Sequence, residues 1–287
     1  MNNYKNNYFK LFFLSLLFPF MFVVSAHANN KPQKLVSVVK ADYQIHQGKF
    51  SNSSAKQVFH RDFLVKKAFT SNNQKYYWLV SLKKHSEIGY INKRATATEN
   101  QTKLLKVPYI SQYKPVFAPW GCAATSMAML LGSRGKHVDL KYAQNHLPMQ
   151  PTPGGQKGNV YTGAGFGYVI KPGALANYAK KWSKNVYNIS SAKLSVNNIK
   201  KYVQGGQPVL FYGFSSYQKP GDYVRNHCKV ITGYKNHQFR VNDPLYYSKH
   251  AKAGAGGKNM KYDRGAIAWE PLSAFSKEYN RKAITIK

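Results

Sequence analysis

The chain has 287 residues, 43% of them hydrophobic, with 43 Lys and Arg against 10 Asp and Glu for a formal net charge of +33. That content supports a real core, in one large domain or two smaller ones. The basic residues are spread along the chain, without a basic recognition helix, zinc-finger spacing or RNA-binding aromatic pattern, which argues against nucleic acid as the partner. In a secreted protein such charge suits a polyanionic envelope, phosphate-rich wall polymers or an anionic membrane surface.

Lys5 and Lys10 form a basic start, and Leu11–Val24 is an apolar run of 14 residues, too short for a comfortable membrane span. Ala26-His27-Ala28 fits a small-x-small cleavage site, so residues 1–28 read as a signal peptide. The expectation is a secreted protein, associated with the cell wall, with no membrane span once the signal is removed.

Residues 35–97 alternate short β-type runs (LVSVV, YQIH, FLVKKAF, YYWLV and IGYIN) with polar turns at 48–54 and 71–74. These predict a small all-β barrel of about five strands. Tyr77, Trp78 and Tyr90 fit either the barrel core or an exposed face for glycan or polymer, and the sequence leaves both open. The polar stretch around 98–103 reads as a linker. In residues 104–287, Leu105–Ile110 predicts a strand, and 123–131, Leu140–His146, Ala174–Trp182 and Val196–Val203 predict helices. Between them, 151–173 is rich in Gly and Pro, a length more typical of a functional loop than of a connector. Strands are predicted at Pro208–Phe214, His227–Tyr234, Gln238–Asn242, Ala266–Trp269 and Ala283–Ile286, with a helix at Leu272–Tyr279. Helices first and an antiparallel sheet later is an α+β order.

Chemistry concentrates at one of only two cysteines. Cys122 follows Pro119-Trp120-Gly121 and opens a helix-forming run, where the helix N-terminus favours thiolate over thiol. His227 begins one strand of a hairpin and Asp243 ends its partner, so the two ends meet and the carboxylate can orient the imidazole. Gln112 offers an amide, and Cys122 its backbone N–H, to a developing oxyanion. Cys228, next to His227 on a strand, points to the opposite face from the imidazole and reads as a small buried hydrophobe, since pairing would consume Cys122; the alternative is a regulatory Cys122–Cys228 disulfide. His137, His146, His237 and His250 lack partners at metal-ligand spacing, and no HExxH, CxxC or phosphate-cradling loop is present, so neither metal nor cofactor is expected.

Four ordered segments carry a resemblance: VPYISQ with WGCAATSMAMLL, GNVYTGAGFGYVIKPGALANYAKKW, QPVLFYGF, and HCKVITGY with VNDP. Together they resemble the C39-like, papain-type cysteine peptidase family. The resemblance implies a papain-like fold with Cys122 as nucleophile, His227 as base, Asp243 as orienter and Gln112 as oxyanion donor, acting on a peptide or wall-peptide substrate through a thioester acyl-enzyme. Ala123-Ala124 stand where that family often has Gly-Pro, and Cys228 where it has a small apolar residue. Family members that process double-glycine leaders work beside a membrane span and an ATPase; neither is read in this sequence, so leader processing is not implied. YYWLV followed by IGYIN resembles the closing strands of SH3-like or GW-type wall-attachment modules. The competing reading is a non-catalytic surface adhesin that binds through the barrel and the basic surface.

Overall fold

A computed structural model describes residues 34–287; the signal-peptide reading of residues 1–28 lies outside them. Among the described residues no helix is long and apolar enough to cross a membrane.

The N-terminal part is a seven-stranded antiparallel sheet. Its strands are β1 (Leu35–Val38), β2 (Gln44–His46), β3 (Ser53–Ser54), β4 (Asp62–Ser71), β5 (Gln74–Val80), β6 (Glu87–Asn92) and β7 (Thr96–Ala97). The five predicted runs are β1, β2, β4, β5 and β6; the two-residue β3 and β7 are too short to carry a sequence pattern. The ladder runs β3-β2-β6-β5-β4-β1-β7 and curls around Val36, Val38, Ile45, Phe63, Leu79 and Ile91. Asn72 and Asn73, both at positive φ, make the two-residue turn between β4 and β5 that matches strand twist. Gly89 is required in β6 because a Cβ there would lie 2.2 Å from the Gln47 carbonyl oxygen. Strand alternation divides the aromatics left open by the sequence. Tyr77 is in the core. Trp78 and Tyr90 sit on the other face, half-buried, in a ring cluster with His46, Phe69 and Tyr76.

The rest of the chain forms β8 (Lys103–Leu104), α1 (Cys122–Gly132), α2 (Leu140–Asn145), α3 (Pro172–Ala179), β9 (Val186–Asn188), α4 (Val196–Gln204), β10 (Val209–Gly213), β11 (His227–Lys235), β12 (Gln238–Asn242), β13 (Ile267–Pro271), α5 (Leu272–Glu278) and β14 (Ala283–Ile286). The sheet order is β13-β12-β11-β10-β14-β9, with β8 taking the end of the β11 edge that β10 leaves free. The predicted strand at Leu105–Ile110 is not formed. Only Leu105 N–H reaches the sheet, at Thr232 O, after which Pro108 denies the ladder a donor. Helix α3 starts at Pro172, two residues before the predicted start, because proline suits the first helical turn.

This sheet is covered on both faces, which is why β10 is apolar along its length. Leu210, Tyr212, Cys228 and Val230 face α1 and α3. Val209, Phe211 and Ile231 face the other way, against Ile199 and Val203 of α4 and Phe275 of α5. Helix α1 is buried from Cys122 to Leu131, so its first residue is held by the core and not by a mobile loop.

The 98–103 stretch is gripped by the fold. Gln204 Nε2 donates to the carbonyls of Thr98, Glu99 and Gln101 at 3.0, 3.3 and 3.2 Å. From the same helix, Lys200 pairs with Glu99 at 2.5 Å and Lys201 with Asp62 at 2.6 Å.

Candidate active site

Cys122 is the first residue of α1, after Gly121 as N-cap. Gln144 of α2 donates to Gly121 O at 2.9 Å and Thr125 Oγ1 to the same oxygen at 3.0 Å. A Cβ on Gly121 would lie 2.3 Å from Gln144 Nε2, so glycine is what lets α2 grip this turn. The 151–173 loop holds the other side: Gln156 Nε2 donates to Trp120 O at 3.2 Å and Trp120 N–H to Val160 O at 3.0 Å.

His227 opens β11, opposite Gly213 of β10. Asp243 directly follows β12, and the β11–β12 hairpin, turned at Asn236-His237, brings the two together. His227 Nε2 lies 2.7 Å from Asp243 Oδ1, both side chains being buried. Asp243 Oδ1 also accepts from Leu245 N–H at 3.0 Å, and Asp243 N–H donates to Ala266 O at 2.8 Å. The Tyr109 hydroxyl lies 3.0 Å from Asp243 O and 2.8 Å from Tyr246 O, fixing the backbone after the hairpin. With Nε2 committed to the carboxylate, Nδ1 is the ring nitrogen left for the thiol; His227 and Cys122 line the same cleft, and the Cys122 thiol lies 4.0 Å from Asn226 O.

Electrostatics follow from this packing. A hydrogen bond from Cys228 and then, against the cost of burial, the hydrogen bond and charge of His227 hold the Cys122 thiol well below its usual range. Burial alone would lower His227, but the Asp243 carboxylate beside it raises it to about 10. Burial would raise Asp243, yet the His227 imidazolium and Lys229 keep its carboxyl below the usual value. Together these shifts favour thiolate, imidazolium and carboxylate in one row.

Gln112 is 1% exposed and lines the same cleft as Cys122 and His227. Its Nε2 donates to Pro119 O at 2.5 Å, which fixes the amide orientation and leaves one of its two N–H groups. Cys122 N–H, at the helix start, has no intrahelical acceptor. The cleft encloses about 930 Å³ and is walled by Tyr113, Phe117, Trp120, Phe166, Tyr217 and Tyr247. Tyr113 and Tyr247 stack with centroids 4.6 Å apart.

Of the four residues singled out from sequence, Gln112, Cys122 and His227 thus line one cleft, and Asp243 is bound to His227. Cys228 is a small residue of the buried core, as the sequence expects. It is free and fully buried, and it does enter the face that strand alternation assigns to it. That face is the one α1 covers, where Ser126, one turn beyond Cys122, donates at 2.8 Å to the backbone oxygen of Cys228. Burial, with the Cys122 neighbour, pushes the Cys228 thiol up, so it stays protonated and can donate. Sequence reasoning missed Gln144 and Gln156, which hold the turn before Cys122, and Lys229, whose ion pair with Glu278 at 2.8 Å places a buried cation behind Asp243. A lysine inside an otherwise apolar strand, HCKVITGY, was the one available signal for the last.

Residues 104–280 match the Peptidase_C39 like family, and the chain belongs to that family of cysteine peptidases. Among solved structures, a C39-like peptidase from Bacillus anthracis is similar at 25% identity and TM-score 0.51, covering 66% of this chain and 98% of its own. A double glycine motif protease from an AMS/PCAT transporter, in complex with its leader peptide, is similar at 17% identity and TM-score 0.37, covering 64% of this chain and 95% of its own. The peptidase domain of Streptococcus ComA, a bifunctional ABC transporter of a quorum-sensing pathway, is similar at 14% and 0.37, covering 64% and 97%. No curated protein matches the chain.

Proposed function

We propose that this C39-like peptidase is a secreted, envelope-associated enzyme that cleaves peptide or wall-peptide bonds through Cys122, His227 and Asp243, with residues 35–97 as an SH3-like attachment module. The observation that carries the chemistry is the meeting, in one cleft, of a thiol with a lowered pKa and an imidazole bound to a buried carboxylate. The Cys122 thiolate attacks the carbonyl carbon, and the displaced π pair settles on oxygen. That oxyanion faces the spare N–H of Gln112 and the N–H of Cys122. The oxyanion collapses, the C–N bond breaks, and the His227 imidazolium gives its proton to the leaving amine, which leaves a thioester on Cys122. Neutral His227 then takes a proton from water as the water oxygen attacks the thioester. The C–S bond breaks, a carboxylic acid departs, and thiolate and imidazolium are restored. Asp243 holds the ring through both proton transfers.

Iodoacetamide labelling of Cys122 tests this. The lowered thiol and the imidazole raised to about 10 predict a thiolate–imidazolium pair throughout the neutral range. The rate at pH 6 should stay within about threefold of that at pH 8, where an ordinary thiol falls roughly 100-fold. The His227→Ala variant should behave like the ordinary thiol. A wild-type rate that tracks a free thiol, unchanged in His227→Ala, would leave a binding protein on a peptidase scaffold.

A further inference from the structure

Away from the cleft, a second concavity of about 530 Å³ lies where the N-terminal sheet meets the 98–103 stretch and the end of α4. Its charged lining is Lys40, Lys75, Lys93, Arg94 and Lys103. Among the described residues no carboxylate and no aromatic ring lines it; the remainder is Thr96 and the amides of Asn73, Gln74, Asn92, Gln101 and Gln204. The nearby acid, Glu99, is held by Lys200.

On a chain of net charge +33, a group of lysines alone says little. The shape and the frame of this group say more. Cations on a convex surface diverge into solvent, whereas cations around a hollow address one shared volume, and a cleft of single sign focuses the field within it. These five come from four separate parts of the chain, Lys93 and Arg94 being adjacent, and the walls that carry them are fixed. Gln204 ties down 98–101 through three carbonyls. Asn92 bonds Gln74 side chain to side chain at 2.5 Å and accepts from Arg94 N–H at 2.9 Å. The β4–β5 turn that presents Asn73 and Lys75 is a tight two-residue turn.

We infer that this groove is a binding site for a linear, base-free phosphate polymer. A single phosphate is matched by two or three cations; five call for several anionic groups in a row. Single-stranded nucleic acid is recognised by stacking its bases on aromatic side chains, and the groove offers none. A polyol-phosphate chain or an inorganic polyphosphate supplies the same charge without bases. The inference rests on the envelope-associated reading and gives it an address on the molecule.

The test uses the full mature chain and compares Lys75→Gln/Lys93→Gln/Arg94→Gln with Lys141→Gln/Lys184→Gln/Lys193→Gln. Both triples remove the same charge from exposed positions, and none of the second three lines the groove. Binding of poly(glycerol phosphate), inorganic polyphosphate and oligo-dT is measured by titration calorimetry across a salt series. The groove triple is expected to weaken phosphate-polymer binding about tenfold and to flatten its salt dependence, with the other triple losing less than about twofold. Whichever of the two base-free chains binds more tightly identifies the source, and oligo-dT is expected to bind more weakly than both. Equal loss in the two triples, or oligo-dT binding as tightly, overturns the groove as a site. Binding of the wild type to purified walls is read alongside: if it persists unchanged in both triples, the groove fails while envelope association stands, and if it is absent in wild type, the envelope reading fails.

Discussion

At the scale of single residues, the chemistry depends on how few freedoms remain. Asp243 has its oxygen, its N–H and its carbonyl all engaged, so the imidazole it holds has one orientation. Gln112 is the case where role and packing can be separated. Its amide is pinned by Pro119 O, and the spare N–H is what the oxyanion would use. Gln112→Ala should lower kcat by roughly 100-fold or more with little change in KM, as for the loss of one oxyanion donor. Iodoacetamide labelling of Cys122, which develops no oxyanion, should remain near the wild-type rate. Equal loss in both assays would make Gln112 a packing residue. Cys122, His227, Asp243 and Gln112 stood out in the sequence as candidates because turn, helix start and hairpin ends are local signals. Strand alternation also put Cys228 on its face of β11, but could not tell that α1 lies over that face.

At the scale of elements, α4 is the unusual one. Ile199 and Val203 enter the core under the sheet, while Lys200, Lys201 and Gln204 are buried against the N-terminal sheet and the 98–101 backbone. An apolar stripe with polar residues opposite reads in sequence as a solvent-facing helix, so nothing local revealed the second contact. His60 sits in that contact, edge-on to Tyr202 with centroids 4.3 Å apart and stacked on Phe59. Its Nε2 is buried without a hydrogen-bond partner. Burial, and then the Lys201 ammonium, lower His60 to about 3. The imidazole is neutral in the folded state and takes a proton more readily when unfolded. The contact is therefore at full strength above pH 6.5 and is weakened progressively as pH falls toward 3. Urea midpoints measured from pH 7 to 4 should fall less steeply in His60→Gln than in wild type; parallel slopes would remove His60 from the acid response.

At the scale of the molecule, the two sheets were legible in outline and their joint was not. Five N-terminal strands and most of the later elements follow from apolar runs and turn residues. The short strands β3, β7 and β9 carry too little pattern to be read. The Leu105–Ile110 run looked like a strand because its apolar spacing outweighed Pro108. The polar 98–103 stretch looked like a free tether because the partners that hold it lie about a hundred residues later. The joint can be weighed by a mutant cycle. Asp62→Asn leaves the Lys201 ammonium, 3% exposed, without its carboxylate and should lower Tm by roughly 2–6 °C. Asp62→Asn with Lys201→Met removes both charges and should recover part of that loss. If the double variant is no more stable than the sum of the single losses, the pair is not coupled.

The placement of α4 has a further consequence for modularity. A detachable module brings its own boundary: cut the tether and both halves keep their surfaces. Here the receiving surface for the N-terminal sheet is the back of a helix whose front is peptidase core. Val39 O presses so close to Gly205 that a Cβ there would lie 2.3 Å away. The sheet therefore cannot be moved to another peptidase as a tag unless that peptidase carries an equivalent helix. The peptidase, in turn, cannot vary α4 for its own core without answering to the sheet. The two parts are constrained to change together, and the unit that is inherited or engineered is the pair.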